Sequence, residues 1–319
     1  MATYLKSVTF VHSINKTNMN VLSLQNVVKA YANHIAVNDV SFDVKKGSIF
    51  GLLGPNGAGK TSLIRIITTI TAADSGKVFL NGFPLNNLHP NEIGYMPEER
   101  GLYKKMKVGE QLLYLAQLKG LSSKDAKYKL KTWLEKFDIL NWWDKKIGDL
   151  SKGMSQKVQF IATIVHDPSL IILDEPFSGL DPINANLIKD EIYHLKEKGT
   201  SILFSTHRME QVEEICEDIV LMNQGKIILY GGVQQIKNDF KENLFSVKYE
   251  GRLSDSLHTQ DYKIVRHEAN EIVFKTSTDQ TSNDLLRNLI NNKVNIISFN
   301  EIMPSLNEIF IKKVEASNE

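Results

Sequence analysis

The sequence predicts an α/β fold: a mixed β-sheet core with an antiparallel β subdomain and a helical insertion, followed by a small C-terminal α+β domain. Three features point there. Short apolar runs of strand length, SIFGLL (48–53), LIIL (170–173), SILFS (201–205) and IVLMN (219–223), alternate with stretches of helical period. A glycine-rich loop, GPNGAGKT (54–61), joins the first of those runs to a helical one. Beyond about residue 240 the composition turns more polar, and strand-like segments precede a helix and one further strand and helix.

The first elements alternate polar and apolar residues. VLSLQNVVKAY (21–31) and AVNDVSFDV (36–44) read as half-buried antiparallel strands. SIFGLL is nearly continuous, as expected of a strand buried on both faces. SLIRIITTI (62–70) follows with helical spacing, and IGYMP (93–97) reads as another strand. Between about 98 and 150 the character is helical. VGEQLLYLAQLKG and KDAKYKLKTWLEKFDIL are amphipathic, the second opened by Ser122 with Asp125 three residues on, a capping pattern. Trp142 and Trp143 read as packing residues of this insertion. Next come the helix KVQFIATIVH, the strand LIIL, the helix NLIKDEIYHLKEKG, the strand SILFS, the helix MEQVEEICED, and a hairpin of IVLMN with KIILYGG. The appendage runs FSVKYE, YKIVRH, EIVFKT, helical DLLRNLINN, VNIISFN and a last helix around SLNEIFIKKVE. The expected organisation is residues 1–18 as a disordered extension, 19–238 as the main domain and 239–319 as an accessory domain.

Composition narrows the class of function. With 38 basic against 37 acidic residues in 319, the chain offers no general attraction for nucleic acid. Cys216 is the only cysteine, so an intramolecular disulfide and a two-cysteine metal site are excluded. It reads as a small apolar filler. No apolar run reaches the ~18 residues of a membrane-spanning helix. The expected location is therefore cytoplasmic unless a partner holds the chain at a membrane.

Two stretches carry chemistry. GPNGAGKT matches the phosphate-binding loop G-x-x-x-x-G-K-[ST] in its required setting between strand and helix. Its glycines let backbone N–H groups turn onto phosphate oxygens, and the helix N-terminus adds a favourable dipole. Gly54, Pro55, Asn56, Gly57, Ala58, Gly59, Lys60, Thr61 and the adjoining Ser62 are the nucleotide-binding candidates. Lys60 would bridge the outer phosphates and Thr61 offer its hydroxyl to Mg²⁺. LIILDE (170–175) supplies the second half. Asp174 at the strand end is placed for Mg²⁺, and Glu175, one step on, can polarise an attacking water. On these two stretches alone a kinase, a GTPase and an ATPase all remain open.

A third stretch decides among them. LSKGM (150–154) read alone is a helix start capped by Ser151. The order phosphate loop, LSKGM, LIILDEP, SGLD (178–181) and STH (205–207) resembles the ATP-binding-cassette (ABC) ATPases over residues 21 to about 235. The resemblance implies an ATP-hydrolysing cassette with ATP and Mg²⁺, in which two subunits meet head to tail. It implies that Ser151 and Gly153 face the ATP held by the partner's phosphate loop, and that Tyr31 stacks on adenine. Asp181 would couple the two sites, and His207 would sense the γ-phosphate. Glu98 stands where the family usually has a glutamine at Mg²⁺ and water, with Glu99 beside it. Lys152 and Met154 replace the usual glycine and glutamine of the signature.

MPEERGLYKKM, LSKGMSQKVQ and SLNEIFIKKV further resemble the ATPase subunits of bacterial sodium and drug exporters. That implies membrane permease subunits and a second ATPase subunit as partners, at the cytoplasmic face of the membrane, with the helical insertion receiving the permease. The alternative is a soluble ABC ATPase acting on ribosomes or DNA. A P-loop enzyme outside the family leaves LSKGM, SGLD and the STH histidine unexplained.

Overall fold

A computed structural model describes residues 20–99, 101–251, 262–277 and 280–318. The expected N-terminal extension lies outside the described residues. In chain order the elements are β1 (Asn20–Tyr31), β2 (His34–Lys45), β3 (Ile49–Leu53), α1 (Lys60–Ile67), β4 (Ser75–Leu80), β5 (Phe83–Pro84), β6 (Ile93–Met96), α2 (Val108–Leu118), α3 (Ser123–Lys136) and α4 (Lys152–Ile164). They continue with β7 (Leu170–Asp174), α5 (Pro182–Glu197), β8 (Ser201–Thr206), α6 (Met209–Ile215), β9 (Asp218–Asn223), β10 (Lys226–Gly232) and α7 (Val233–Asp239). The last are β11 (Leu244–Glu250), β12 (Tyr262–Glu268), β13 (Glu271–Thr276), α8 (Ser282–Asn291), β14 (Asn295–Ile302) and α9 (Leu306–Asn318).

By internal contacts the chain forms two units. Of the described residues, one unit holds those up to Phe50 with those of Asn56–Ser205 and Asn223–Lys226; the other holds Gly51–Pro55, Thr206–Met222 and those from Ile227 onward. Within the first unit the core strands follow one another in the order β8-β7-β6.

In the first unit β6, β7 and β8 run parallel, pairing Tyr95 with Ile172 and Ile172 with Leu203. Every residue of β7 and β8 is buried, which explains their unbroken apolar runs. The antiparallel sheet β2-β1-β4-β5 stands apart from them. There Leu22, Leu24, Val78 and Leu80 pair across one inward face while Ser23 and Gln25 alternate outward. The helical insertion packs Leu112 and Ala116 of α2 and Leu130 and Leu134 of α3 out of solvent. Ser122 caps α3 by accepting from the Asp125 N–H, as the spacing predicts. Trp143 lies against Gly109, where a Cβ would come within 2.3 Å of the indole. That close approach requires glycine, and Trp143 is a packing residue as expected. Phe137 beyond α3 meets Phe160 of α4 at 5.9 Å between ring centroids.

The second unit contains the C-terminal antiparallel sheet β12-β13-β11-β14. Phe245, Val247 and Tyr249 of β11 and Ile272 and Phe274 of β13 form its core with Leu285 and Leu289 of α8. Helix α8 starts on a reciprocal cap between Thr281 and Asp284. Helix α9 packs on α6: the Leu306 N–H donates to Glu213 Oε1 at 2.5 Å, and Lys237 of α7 donates to Glu213 Oε2 at 2.5 Å. Leu306 and Ile309 are buried there. Cys216 is buried immediately after α6, and burial pushes its thiol well above the ordinary range, so it is an inert filler.

Candidate functional site

A cleft of about 250 Å³ opens where the phosphate loop meets the ends of β6 and β7. Asn56, Gly57, Ala58, Gly59, Lys60, Thr61 and Ser62 line one side, with Glu98, Asp174 and Glu175 opposite and Tyr31, His34 and Ala36 at the edge. Gly54 and Pro55 precede it, directly after β3.

The loop's shape follows from its glycines. Gly57 and Gly59 have φ of +80° and +105°, a region that side chains rarely allow. Gly59 is also the N-cap of α1 and has no side chain with which to cap that helix. A helix start of this kind suits an anion, because the dipole and the first N–H groups point toward it. Lys60 begins α1 and is buried.

Asp174 ends β7 and is also buried, and its Oδ1 accepts from Ser205 Oγ at 2.7 Å. Sequence reasoning missed Ser205, although a buried serine ending an apolar strand needs a partner, and that need was a usable signal. Glu175 is 7% exposed with φ +50°, a left-handed conformation costing a non-glycine residue about 1–2 kcal/mol. Its N–H donates to the Ser205 carbonyl at 2.9 Å, which fixes that turn. Glu98 follows β6 on an exposed loop.

Three carboxylates thus share the cleft with one ammonium. Burial pushes Lys60 below the ordinary lysine range, and Glu175, Asp174 and Glu98 pull it back up. Burial raises the Asp174 carboxyl; the Ser205 hydroxyl opposes this, while Glu175 and Glu98 add to it. Carboxylates therefore outnumber ammonium groups among the residues that line this cleft.

At the cleft edge, Tyr31 ends β1 and is 40% exposed, and Lys29 Nζ stands 5.5 Å from its ring centroid. Lys29 is itself held by Asp74 at 2.6 Å. His34 and Ala36, the cleft residues of β2, were not anticipated. They arrive because the turn after Tyr31 is only two residues long, pairing Tyr31 with His34.

Ser151, Gly153, Asp181 and His207 are not among the residues that line this cleft. Ser151 is the exposed N-cap of α4, accepting from the Met154 N–H at 3.2 Å. Gly153 is in the first turn of that helix. Asp181 is the N-cap of α5 before Pro182, accepting from the Asn184 N–H at 3.0 Å. That hydrogen bond, and a second from the Asn184 side chain, hold its carboxyl below the usual range. The Ser151 cap is the one the sequence signals. His207 belongs to the second unit, exposed on the turn between β8 and α6, where the Arg208 N–H donates to Thr206 Oγ1 at 3.1 Å.

A second cleft, of about 260 Å³, lies between the helical insertion and α4. Leu102, Leu115, Leu118, Ala162 and Pro97 make it largely apolar. Gln159 donates to the Pro97 carbonyl at 3.0 Å, while its buried Oε1 has no hydrogen-bond partner among the described residues. His166, also in the wall, is held down to about 4 by burial and by the neighbouring Lys119, and is neutral at physiological pH.

A model of the ABC transporter family matches residues 37–178, and one of the C-terminal domain of DrrA1-3-like ATP-binding proteins matches 231–314. The ABC transporter ATP-binding protein YhaQ of Bacillus subtilis is 40% identical over 94% of this chain and 100% of its own length. The lipopolysaccharide export system ATP-binding protein LptB of Haemophilus influenzae is 33% identical over 69% of this chain and 94% of its own. Among solved structures, one described as the ATP-binding subunit of an ABC transporter superposes with a TM-score of 0.65 at 30% identity, covering 69% of this chain and 93% of that one. With a phosphate loop, paired strand-end acids and this similarity along nearly its whole length, the chain belongs to the ABC transporter ATP-binding proteins, a family that hydrolyses ATP.

Proposed function

We propose that this chain is the ATPase of an ABC exporter, closing head to tail with a second ATPase subunit on ATP and driving a separate membrane permease. The observation that carries the proposal is the division of the site. The phosphate loop, Asp174 and Glu175 share one cleft, whereas Ser151 and Asp181 stand at exposed helix starts outside it. A second subunit supplies what the cleft lacks.

In this reading the adenine stacks on Tyr31 and the phosphates lie over the N–H groups of residues 56–62. Lys60 spans the outer phosphates. Glu175 takes the proton of the attacking water as the water's oxygen bonds to the γ-phosphorus and the bond to ADP breaks. From the partner, the Ser151 hydroxyl and Gly153 N–H would face the same γ-phosphate, with the N-terminal dipole of α4 behind them. His207 would report the γ-phosphate, and Asp181 would relay closure between the two sites.

Thr61, Asp174 and Glu98 would hold Mg²⁺. Among the described residues no three His, Cys, Asp or Glu side chains make a metal cage by themselves. That suits Mg²⁺, which usually takes one or two carboxylates and completes its shell with phosphate oxygens and water. The surplus of carboxylates over Lys60 supplies the matching charge. When bound, the ion neutralises the charge of the outer phosphates.

The permease half rests on the apolar second cleft beside the helical insertion, which could seat a cytoplasmic helix donating to Gln159 Oε1. No helix among the described residues is long and apolar enough to cross a membrane. Export is supported by the similarity to LptB and by the motifs shared with sodium and drug exporters. In this reading the main domain is 19–238, with the helical insertion at about 98–150, and the accessory domain is 239–319.

The test is affinity purification of the chain from detergent-solubilised membranes of its own cells. An integral membrane protein should co-purify in stoichiometric amount and stimulate the ATPase. Recovery with ribosomes or DNA and no membrane protein would instead favour the soluble alternative.

A further inference from the structure

We propose that Lys152 is a positioning residue that clamps the start of α4 to the loop after β7, so that Ser151 and Glu175 of one subunit move as one piece. The proposal rests on the reading in which Ser151 faces the partner's ATP.

Helix stability gives no reason for a lysine at this position. Lys152 is the first residue of α4, the end where the helix dipole disfavours a cation, and no acid lies in that turn to compensate. Its side chain instead lies on Gly179 of the SGLD loop. A Cβ placed on Gly179 would fall 2.3, 2.4 and 2.5 Å from Lys152 Cε, Cδ and Nζ. Gly179 has φ +73°, so the backbone there is shaped for a residue with no side chain, and the lysine arm fills the space.

Two further contacts continue this one along the same face of α4. A Cβ on Gly153 would meet Leu180 Cδ2 at 3.6 Å. Gln156, four residues after Lys152 and buried, donates from Nε2 to the Pro176 carbonyl at 2.8 Å. The first two turns of α4 therefore grip Pro176, Gly179 and Leu180 together. That loop starts at Glu175, whose carbonyl accepts from the Ser178 N–H at 3.1 Å, and ends at Asp181.

The consequence is mechanical. When the partner's γ-phosphate draws in Ser151, the displacement passes through the Lys152–Gly179 contact into the loop that orients Glu175 in the same subunit. Binding at one site thereby sets the base of the other. A glycine at 152, usual in the family, lacks this arm.

Steady-state kinetics and ATP-driven dimerisation of the full chain test the clamp. Lys152→Ala should lower kcat about two- to tenfold, the range expected when a contact between coupled residues is lost. MgATP binding by the monomer should stay the same, because Lys152 is outside the nucleotide cleft. Lys152→Met, which keeps the unbranched arm without its charge, should recover most of the loss. If Met behaves like Ala, a charge contact operates and the clamp is wrong. Ser151→Asp separates this proposal from the one it rests on: if that variant turns over normally, the composite site itself fails. If it is inactive while Lys152→Ala matches wild type, only the clamp fails.

Discussion

Glu175→Gln is expected to slow ATP hydrolysis about 10²–10⁴-fold, the contribution typical of a positioned general base. The carboxylate is nearly enclosed and its backbone is pinned by the hydrogen bond to the Ser205 carbonyl, so it cannot drift from the water it activates. ATP binding should survive. The amide keeps the shape of the side chain and removes one of the three negative charges around Lys60. The variant should accumulate as an ATP-bound dimer. Glu98→Gln should cost far less, because Glu98 is exposed on a loop and glutamine is the residue usual in the family. Single-turnover hydrolysis of both variants, with dimerisation followed by light scattering, distinguishes them. If Glu98→Gln stops turnover and Glu175→Gln hardly changes it, the base is Glu98. Equal losses would mean that the two carboxylates share the water and titrate as a pair.

Lys60→Ala should remove measurable turnover and weaken nucleotide binding roughly ten- to hundredfold, the scale of one hydrogen bond to a charged group. Two effects add. The outer phosphates lose a cation, and Glu98, Asp174 and Glu175 are left facing ATP with no neighbouring ammonium to offset them. Calorimetric titration with ATP and Mg²⁺ measures the first effect, and phosphate release the turnover. The lost charge predicts that raising Mg²⁺ recovers part of the binding. Unchanged turnover in Lys60→Ala would remove the phosphate-loop assignment.

Much of this architecture could be read from the sequence because its elements are strongly patterned. The buried parallel strands are unbroken apolar runs, and the helices of the insertion begin with legible caps such as Ser122. β4 escaped notice because its first three residues are exposed, leaving only Val78 and Leu80 as inward signal. α7 is seven residues with two buried positions, Val233 and Ile236, too few to reveal a helical period. At the site, residues close in sequence were easy to find. Ser205, His34 and Ala36 reach the cleft region only through strand pairing, which local spacing does not encode. The Lys152–Gly179 contact joins two motifs separated in the chain, so the sequence showed a departure at 152 without showing what it touches.

The central claim is that Ser151 acts on ATP held by another copy of the chain, and mixing two crippled chains tests it most directly. Ser151→Asp keeps a good helix cap while aiming a negative charge at phosphate, so the fold should be preserved and closure blocked. Lys60→Ala keeps Ser151 but lacks the phosphate-loop cation. Each chain alone should be nearly inactive. In a mixed dimer, the intact phosphate loop of the first meets the intact Ser151 of the second. ATPase activity of the mixture well above the sum of the two separate chains is the predicted result. Activity no greater than that sum, under conditions where the wild-type chain is active and dimeric, would contradict the account.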